Sequence, residues 1–123
     1  MRIIIGNDGS SGAQHAIRSV AGRSWPESTE VRVLSVVQTQ GRNELETATR
    51  GVSAGPLHRA GLNVIETLIE GDPRQDLIRE AQNWNSDAIF VGARGQSGID
   101  RFLLGSVSTA VVTRARCTVE VVR

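Results

Sequence analysis

The chain has 123 residues, 39% of them apolar and 22% charged, with a formal net charge of +1. These proportions suit a single globular domain over residues 1–123. They argue against a general nucleic-acid or membrane binder, which needs a marked excess of one charge. All 14 cationic side chains are arginines, so a Walker-type phosphate loop and lysine nucleophile chemistry are both excluded.

The opening "MRIIIG" is a β-branched run that reads as a buried strand ending at Gly6. It is too short for a signal-peptide core. No apolar run approaches the ~20 residues of a membrane span, so a cytoplasmic location is expected. "NDGSS" then turns the chain. Ala13, Ala16, Ile17, Val20 and Ala21 follow at helical spacing, with Ser10 or Ser11 as cap. "VRVLSVVQ", Val31 to Gln38, is the second strand. Residues 38–60 hold three glycines and Pro56, so any helix there is short or broken, and a flexible crossover is the alternative.

"LNVIETLIEG" reads as a third strand ending at Gly71. Asp72-Pro73 is a helix start, with Asp as N-cap and Pro at the first helical position. Leu77, Ile78, Ala81 and Trp84 form the buried stripe of that helix. "DAIFVGA" is the fourth strand, and Leu104, Val107, Ser108, Val111, Val112 and Ala115 trace the face of a last helix. "CTVEVVR" is the fifth strand. Its Cys117, the single cysteine, allows no internal disulfide and no thiolate zinc site, and reads as an inert core thiol.

Alternating strands and helices predict an α/β fold with a parallel, doubly wound sheet. Strand orders 3-2-1-4-5 and 2-1-3-4-5 both satisfy the pattern. Ligands of such sheets bind beyond the carboxyl ends of the strands, where the order reverses.

The stretch after the fourth strand carries the chemistry. Gly92 ends that strand and Gly105-Ser106 opens the last helix. A helix start presents unpaired N–H groups and a partial positive charge. Gly95 and Gly105 let a ligand approach the backbone, while Ser106 and Ser108 add hydroxyl donors. Together they make an anion site suited to phosphate, with Arg94 and Arg101 as further charge. Asp8, just past the first strand, can accept from a base amino group or a ribose hydroxyl. Val36 or Val37 offers an apolar wall and backbone groups for an adenine edge. Any one of these glycines could instead simply turn the chain. The dinucleotide fingerprint is not matched, because "GNDGSSG" lacks its spacing.

These residues resemble the universal stress protein family. Gly92-x2-Gly95-x9-Gly105-Ser106 fits the glycine motif of its ATP-binding branch. "DGS" at 8–10, "VLSVV", "EGDP" at 70–73 and the closing "C-x-V-x-VVR" fit as well. The resemblance implies a five-stranded, Rossmann-like parallel sheet of order 3-2-1-4-5. It implies ATP in the cleft, with magnesium or manganese on the phosphates. Gly6, Asn7 and Asp8 would line the adenosine pocket and Val36 would meet the adenine. Gly92, Arg94 and Gly95 would lie along ribose and phosphates; Gly105, Ser106, Val107 and Ser108 would hold phosphates. A homodimer through the last strand is also implied, and an open edge strand makes that reasonable. The chain departs from the family in its short region between strands two and three, in Thr118 where proline is usual, and in Glu120 within an otherwise apolar strand.

The expected function is a nucleotide-dependent stress-response regulator. No catalytic constellation and no protein metal site can be assembled: His15 and His58 read as surface residues. A weak ATPase and a nucleotide-free dimerisation module are the alternatives.

Overall fold

Ile3 and Ile5 face one side of a sheet and Ile4 the other, as the two-residue period of a strand requires. All three are at most 1% exposed, so both sides are covered. The computed structural model describes residues 1–7, 11–37, 53–93 and 105–123. The elements are β1 (Arg2–Asn7), α1 (Ser11–Ala21), β2 (Glu30–Val37), α2 (Gly55–Arg59), β3 (Asn63–Glu70), α3 (Pro73–Trp84), β4 (Ala88–Gly92), α4 (Ser106–Arg114) and β5 (Thr118–Val122). The strands form one sheet of order β3-β2-β1-β4-β5, with every neighbouring pair parallel. This is the Rossmann-like order 3-2-1-4-5.

Two cores result. Ile3, Ile5, Ala16, Ile17 and Phe90 pack between the sheet and α1, with Leu57 of α2 fully buried among them. Ile4, Leu34, Leu77, Ile89 and Val111 pack between the sheet and the pair α3 and α4. The short α2 lies at the end of the 38–60 stretch, of which residues 38–52 are outside the described residues. Pro56 opens a helix of five residues, too brief for an apolar period to declare itself. "NELETATR" lies outside the described residues.

Helix α3 starts where Asp72-Pro73 predicts. The Asp72 Oδ1 accepts from the Arg74 backbone N–H at 3.0 Å. Asp76, 4% exposed, accepts from the Asp72 N–H at 2.9 Å and pairs with Arg79. Gly71 is glycine because a Cβ would collide with the Asp76 carboxylate. At the other end Asn85 takes the left-handed conformation, φ 54°, and Trp84 lies under the guanidinium of Arg32, 4.1 Å from its ring centroid. Helix α4 buries less than expected. Val111 is fully buried but its neighbour Val112 is 48% exposed; the helix lies at the flank of the sheet and covers it with a narrow face.

Candidate functional site

The strand order reverses at β1, which lies between β2 and β4. Ile3 pairs with Ala88 and Ile5 with Phe90; the same offset brings Asn7 level with Gly92. The carboxyl ends of β1 and β4 therefore share one edge, beside the start of α4.

Close packing forms the floor of this edge. A Cβ on Gly92 would lie 2.6–2.8 Å from the backbone of Gly12 in the first turn of α1. The glycine at 92 thus answers a helix–strand contact, not only the approach of a ligand. A Cβ on Gly6 would meet the Leu77 Cδ1 at 3.0 Å, so the same reasoning holds there. Asn7 is 8% exposed, and its Nδ2 donates to the Ser35 Oγ at 2.9 Å, across the β1–β2 pair. Val36 is 3% exposed and packs in the core beneath α3. Its side chain is core, not the wall of a cleft, which leaves its backbone as the part able to meet a ligand.

Ala93 ties the end of β4 to its surroundings. Its N–H donates to the Val122 carbonyl at 2.8 Å, and its carbonyl accepts from the Gly105 N–H at 2.7 Å. The Ser108 hydroxyl points back to the same place, 2.9 Å from the Ala93 carbonyl oxygen and 3.1 Å from that of Gly105. Ser108 is 2% exposed. In this structure its hydroxyl proton is directed at these two carbonyls.

Among the described residues, nothing caps the start of α4. Gly105 is extended, φ −68° and ψ 165°, with no side-chain cap and no acidic residue in the first turn. The first bond of the helix runs from the Thr109 N–H to the Gly105 carbonyl at 3.0 Å. The N–H groups of Ser106, Val107 and Ser108 precede it and have no acceptor in their own helix. They carry the positive end of the helix, and Ser106 is exposed beside them. The start of α3 is the opposite case: Asp72 fills it, and the Arg74 guanidinium holds the Asp72 carboxyl below its usual range. Among the described residues, the start of α3 is closed by the chain's own anion and the start of α4 is not.

The structure thus brings Asn7, Gly92, Gly105, Ser106 and Val107 to one edge, with Gly6 and Ser108 packed beneath. Asp8, Arg94 and Gly95 lie outside the described residues. Gly12 and Ala93 were not singled out from the sequence, although a glycine in a first helical turn is a costly choice that signals close contact. His15 and His58 are exposed. Among the described residues, no group of three His, Cys, Asp or Glu is placed to hold a metal, and no helix is long and apolar enough to cross a membrane.

Comparison with known proteins adds a family. The sequence profile of the Universal stress protein family matches residues 1–123. A universal stress protein of Methanocaldococcus jannaschii is 35% identical over 63 residues, a match spanning 51% of this chain and 37% of that one. A Staphylococcus aureus relative bearing the same family name is 27% identical over 137 aligned positions, spanning 98% of this chain and 82% of that one. Among solved structures, a universal stress protein from Archaeoglobus fulgidus superposes with a TM-score of 0.80 at 21% identity, covering 100% of this chain and 93% of its own. A universal stress protein in complex with cAMP gives 0.74 at 23% identity, covering 100% and 96%. The Archaeoglobus fulgidus protein in complex with dAMP gives 0.70 at 21%, covering 100% and 98%. At such identities the structural likeness is one of fold.

Proposed function

This chain belongs to the universal stress protein family, and from that premise we propose that it binds an adenine nucleotide, ATP foremost, at the carboxyl edge between β1 and β4. It acts as a nucleotide-dependent regulator in the cytoplasm, not as an efficient enzyme. The observation that carries this reading is the start of α4, which no described residue caps. Solved relatives in complex with cAMP and dAMP support the adenine nucleotide as ligand.

In this reading the amides of Ser106, Val107 and Ser108, the Ser106 hydroxyl and the Gly105 backbone hold phosphate. Gly92, Arg94 and Gly95 run along the ribose and phosphates. Gly6, Asn7, Asp8 and the Val36 backbone line the adenosine side. The Ser108 hydroxyl fixes the helix start through Ala93. The residues fit a polyphosphate because donors and positive potential are present, with no acidic residue in the first turn of α4. Magnesium or manganese would sit on the phosphates, adding positive charge there. A helix start contributes only about 0.3–1 kcal/mol per charge when exposed, whereas micromolar binding needs about 8 kcal/mol. The adenosine contacts must supply much of the rest. The single domain over residues 1–123 dimerises through β5, the open edge of the sheet.

Calorimetry with magnesium-ATP, AMP and cAMP tests the assignment. Ser106→Asp places a carboxylate at an exposed first-turn position, which suits the helix but repels phosphate. It is expected to keep the melting temperature and weaken ATP binding at least about ten-fold, a loss of about 1.4 kcal/mol. Unchanged ATP affinity, or no heat with any of the three ligands, would sink the reading. ADP release proportional to protein would point to slow hydrolysis instead.

A further inference from the structure

We propose that a cavity at the amino edge of the sheet, between the end of α3 and the entry to β5, binds a small monocarboxylate with an apolar body, its head held by Arg116. This edge is opposite the start of α4, and the site does not depend on the nucleotide reading.

The cavity forms where two helices end. Helix α3 finishes at Trp84 and α4 at Arg114, and the strands that follow them start side by side, Ala88 against Thr118. A space of about 270 Å³ lies between these turns. Its floor is apolar. Ile78 and Ala81 are 9% and 5% exposed, and the half-buried Ala115 and Cys117 pack against the same α3–α4 core. The space equals about nine water-sized groups at ~30 Å³ each. It falls below the roughly 300–1,000 Å³ that suits a drug-sized ligand, so the occupant is no larger than about a benzoate.

Charge selects the head group. Among the described residues that line the cavity, Arg116 is the single charged one. Arg2, Arg23, Arg74 and Arg79 each hold a carboxylate of the chain. Arg116 has neither an ion pair nor a side-chain hydrogen bond among the described residues. The carbonyls that end α3 would attract a cation, but they are already answered. The Asn85 N–H donates to the Gln82 carbonyl at 3.2 Å, the Ser86 N–H to that of Ala81 at 2.9 Å, and Arg2 Nη1 to that of Trp84 at 2.7 Å. The Asp87 carboxylate, near enough to act on Cys117, accepts from the Arg2 N–H at 2.8 Å. Burial pushes the Cys117 thiol up, so it adds no negative charge. The lining is therefore net positive, and its guanidinium can take a carboxylate through two parallel bonds. Gln82 and Asn85 line the same space, and their side-chain amides supply further donors. Arg116 is exposed, and an exposed ion pair contributes little alone. Head and body must bind together, which separates this site from a loose surface anion.

Amide NMR titration of the full chain with benzoate tests the proposal. Saturable shifts are expected at Ala81, Asn85, Arg116 and Cys117. Saturating benzoate should also slow alkylation of Cys117 by neutral iodoacetamide at least about three-fold. Benzamide, which lacks the charge, and acetate, which lacks the apolar body, should each bind at least about ten-fold more weakly, and Arg116→Gln should weaken benzoate by the same factor. Asn85→Gly keeps the left-handed turn and should weaken benzoate about three-fold at an unchanged melting temperature. Ala115→Leu fills the floor and should abolish the shifts. Shifts that do not saturate, benzamide or acetate binding as well as benzoate, or Arg116→Gln binding like the parent overturns the proposal. So do benzoate shifts gathered at Ser106 and Val107, which would place the anion at the start of α4 instead. Should Ala115→Leu not fold, the ligand series and Arg116→Gln at its exposed position decide.

Discussion

Gly12 and Gly92 meet with no side chain between them: a Cβ on Gly92 would lie 2.6 Å from the Gly12 carbonyl carbon. One glycine from the first turn of α1 and one from the end of β4 let helix and strand touch backbone to backbone. The glycine motif is therefore partly a packing device, and mutating it tests folding as well as binding.

Gly92→Ala is expected to destabilise the chain by about 1–3 kcal/mol, the usual cost of forcing an atom into packed surroundings. Gly6→Ala meets Leu77 Cδ1 at 3.0 Å, the end of a side chain that can rotate, and should cost less, under about 1.5 kcal/mol. Urea denaturation of both variants checks the order. A Gly92→Ala protein as stable as the parent would remove the contact from the account.

Ser106 and Ser108 lie two residues apart and should behave differently. Ser108→Ala loses a buried hydroxyl bonded to the Ala93 and Gly105 carbonyls, with an expected cost of about 0.5–1.5 kcal/mol. Ser106→Ala alters an exposed position and should leave the melting temperature unchanged. Equal melting temperatures for the two variants would contradict the assigned geometry.

Two carboxylates should make the fold acid-sensitive. The Arg74 hydrogen bond holds the Asp72 carboxyl low, and the Arg23 hydrogen bond does the same for Glu120. A carboxyl lowered on folding stabilises above its unfolded value, about 3.9 for Asp and 4.3 for Glu, and that contribution fades as pH falls through the folded value. Stability measured from neutral pH downward should thus decline in the acid range. Asp72→Asn and Glu120→Gln should each flatten that decline. Variants that follow the parent's acid profile would show that neither pair matters to stability.

Cys117 should be a slow nucleophile. Burial pushes its thiol above the ordinary value, with Asp87 adding to the effect. Less thiolate is then present at neutral pH. Labelling with a disulfide reagent should run slower than for free cysteine and accelerate as pH rises past about 8.5. Labelling at the rate of the free amino acid would refute this.

The sheet was legible because its strands are short β-branched runs between strong punctuation. Ile3 to Ile5, the Asp72-Pro73 start and the β4 run each announce themselves locally, and the family resemblance chose between two strand orders that the pattern alone allowed. What escaped the sequence is what depends on contact between distant segments. No periodicity marks α2, whose anchoring side chain is Leu57 alone. Val112 shares the composition of a buried face but falls at the flank of the sheet. The bond from the Ser108 hydroxyl to the Ala93 carbonyl, 15 residues apart, has no mark in the sequence. Gly12 gains its meaning only when Gly92 arrives from 80 positions away along the chain.

Ala93 stands between two events usually considered apart. Its N–H grips the last residue of β5, and its carbonyl holds both Gly105 and Ser108. If self-association shifts Val122, a single residue relays the displacement to the mouth of α4. Linkage then runs both ways: the nucleotide would alter association by the same factor that association alters nucleotide affinity. Titrating nucleotide at protein concentrations below and above the association midpoint measures that factor directly, and a factor of one would show that the alanine transmits nothing.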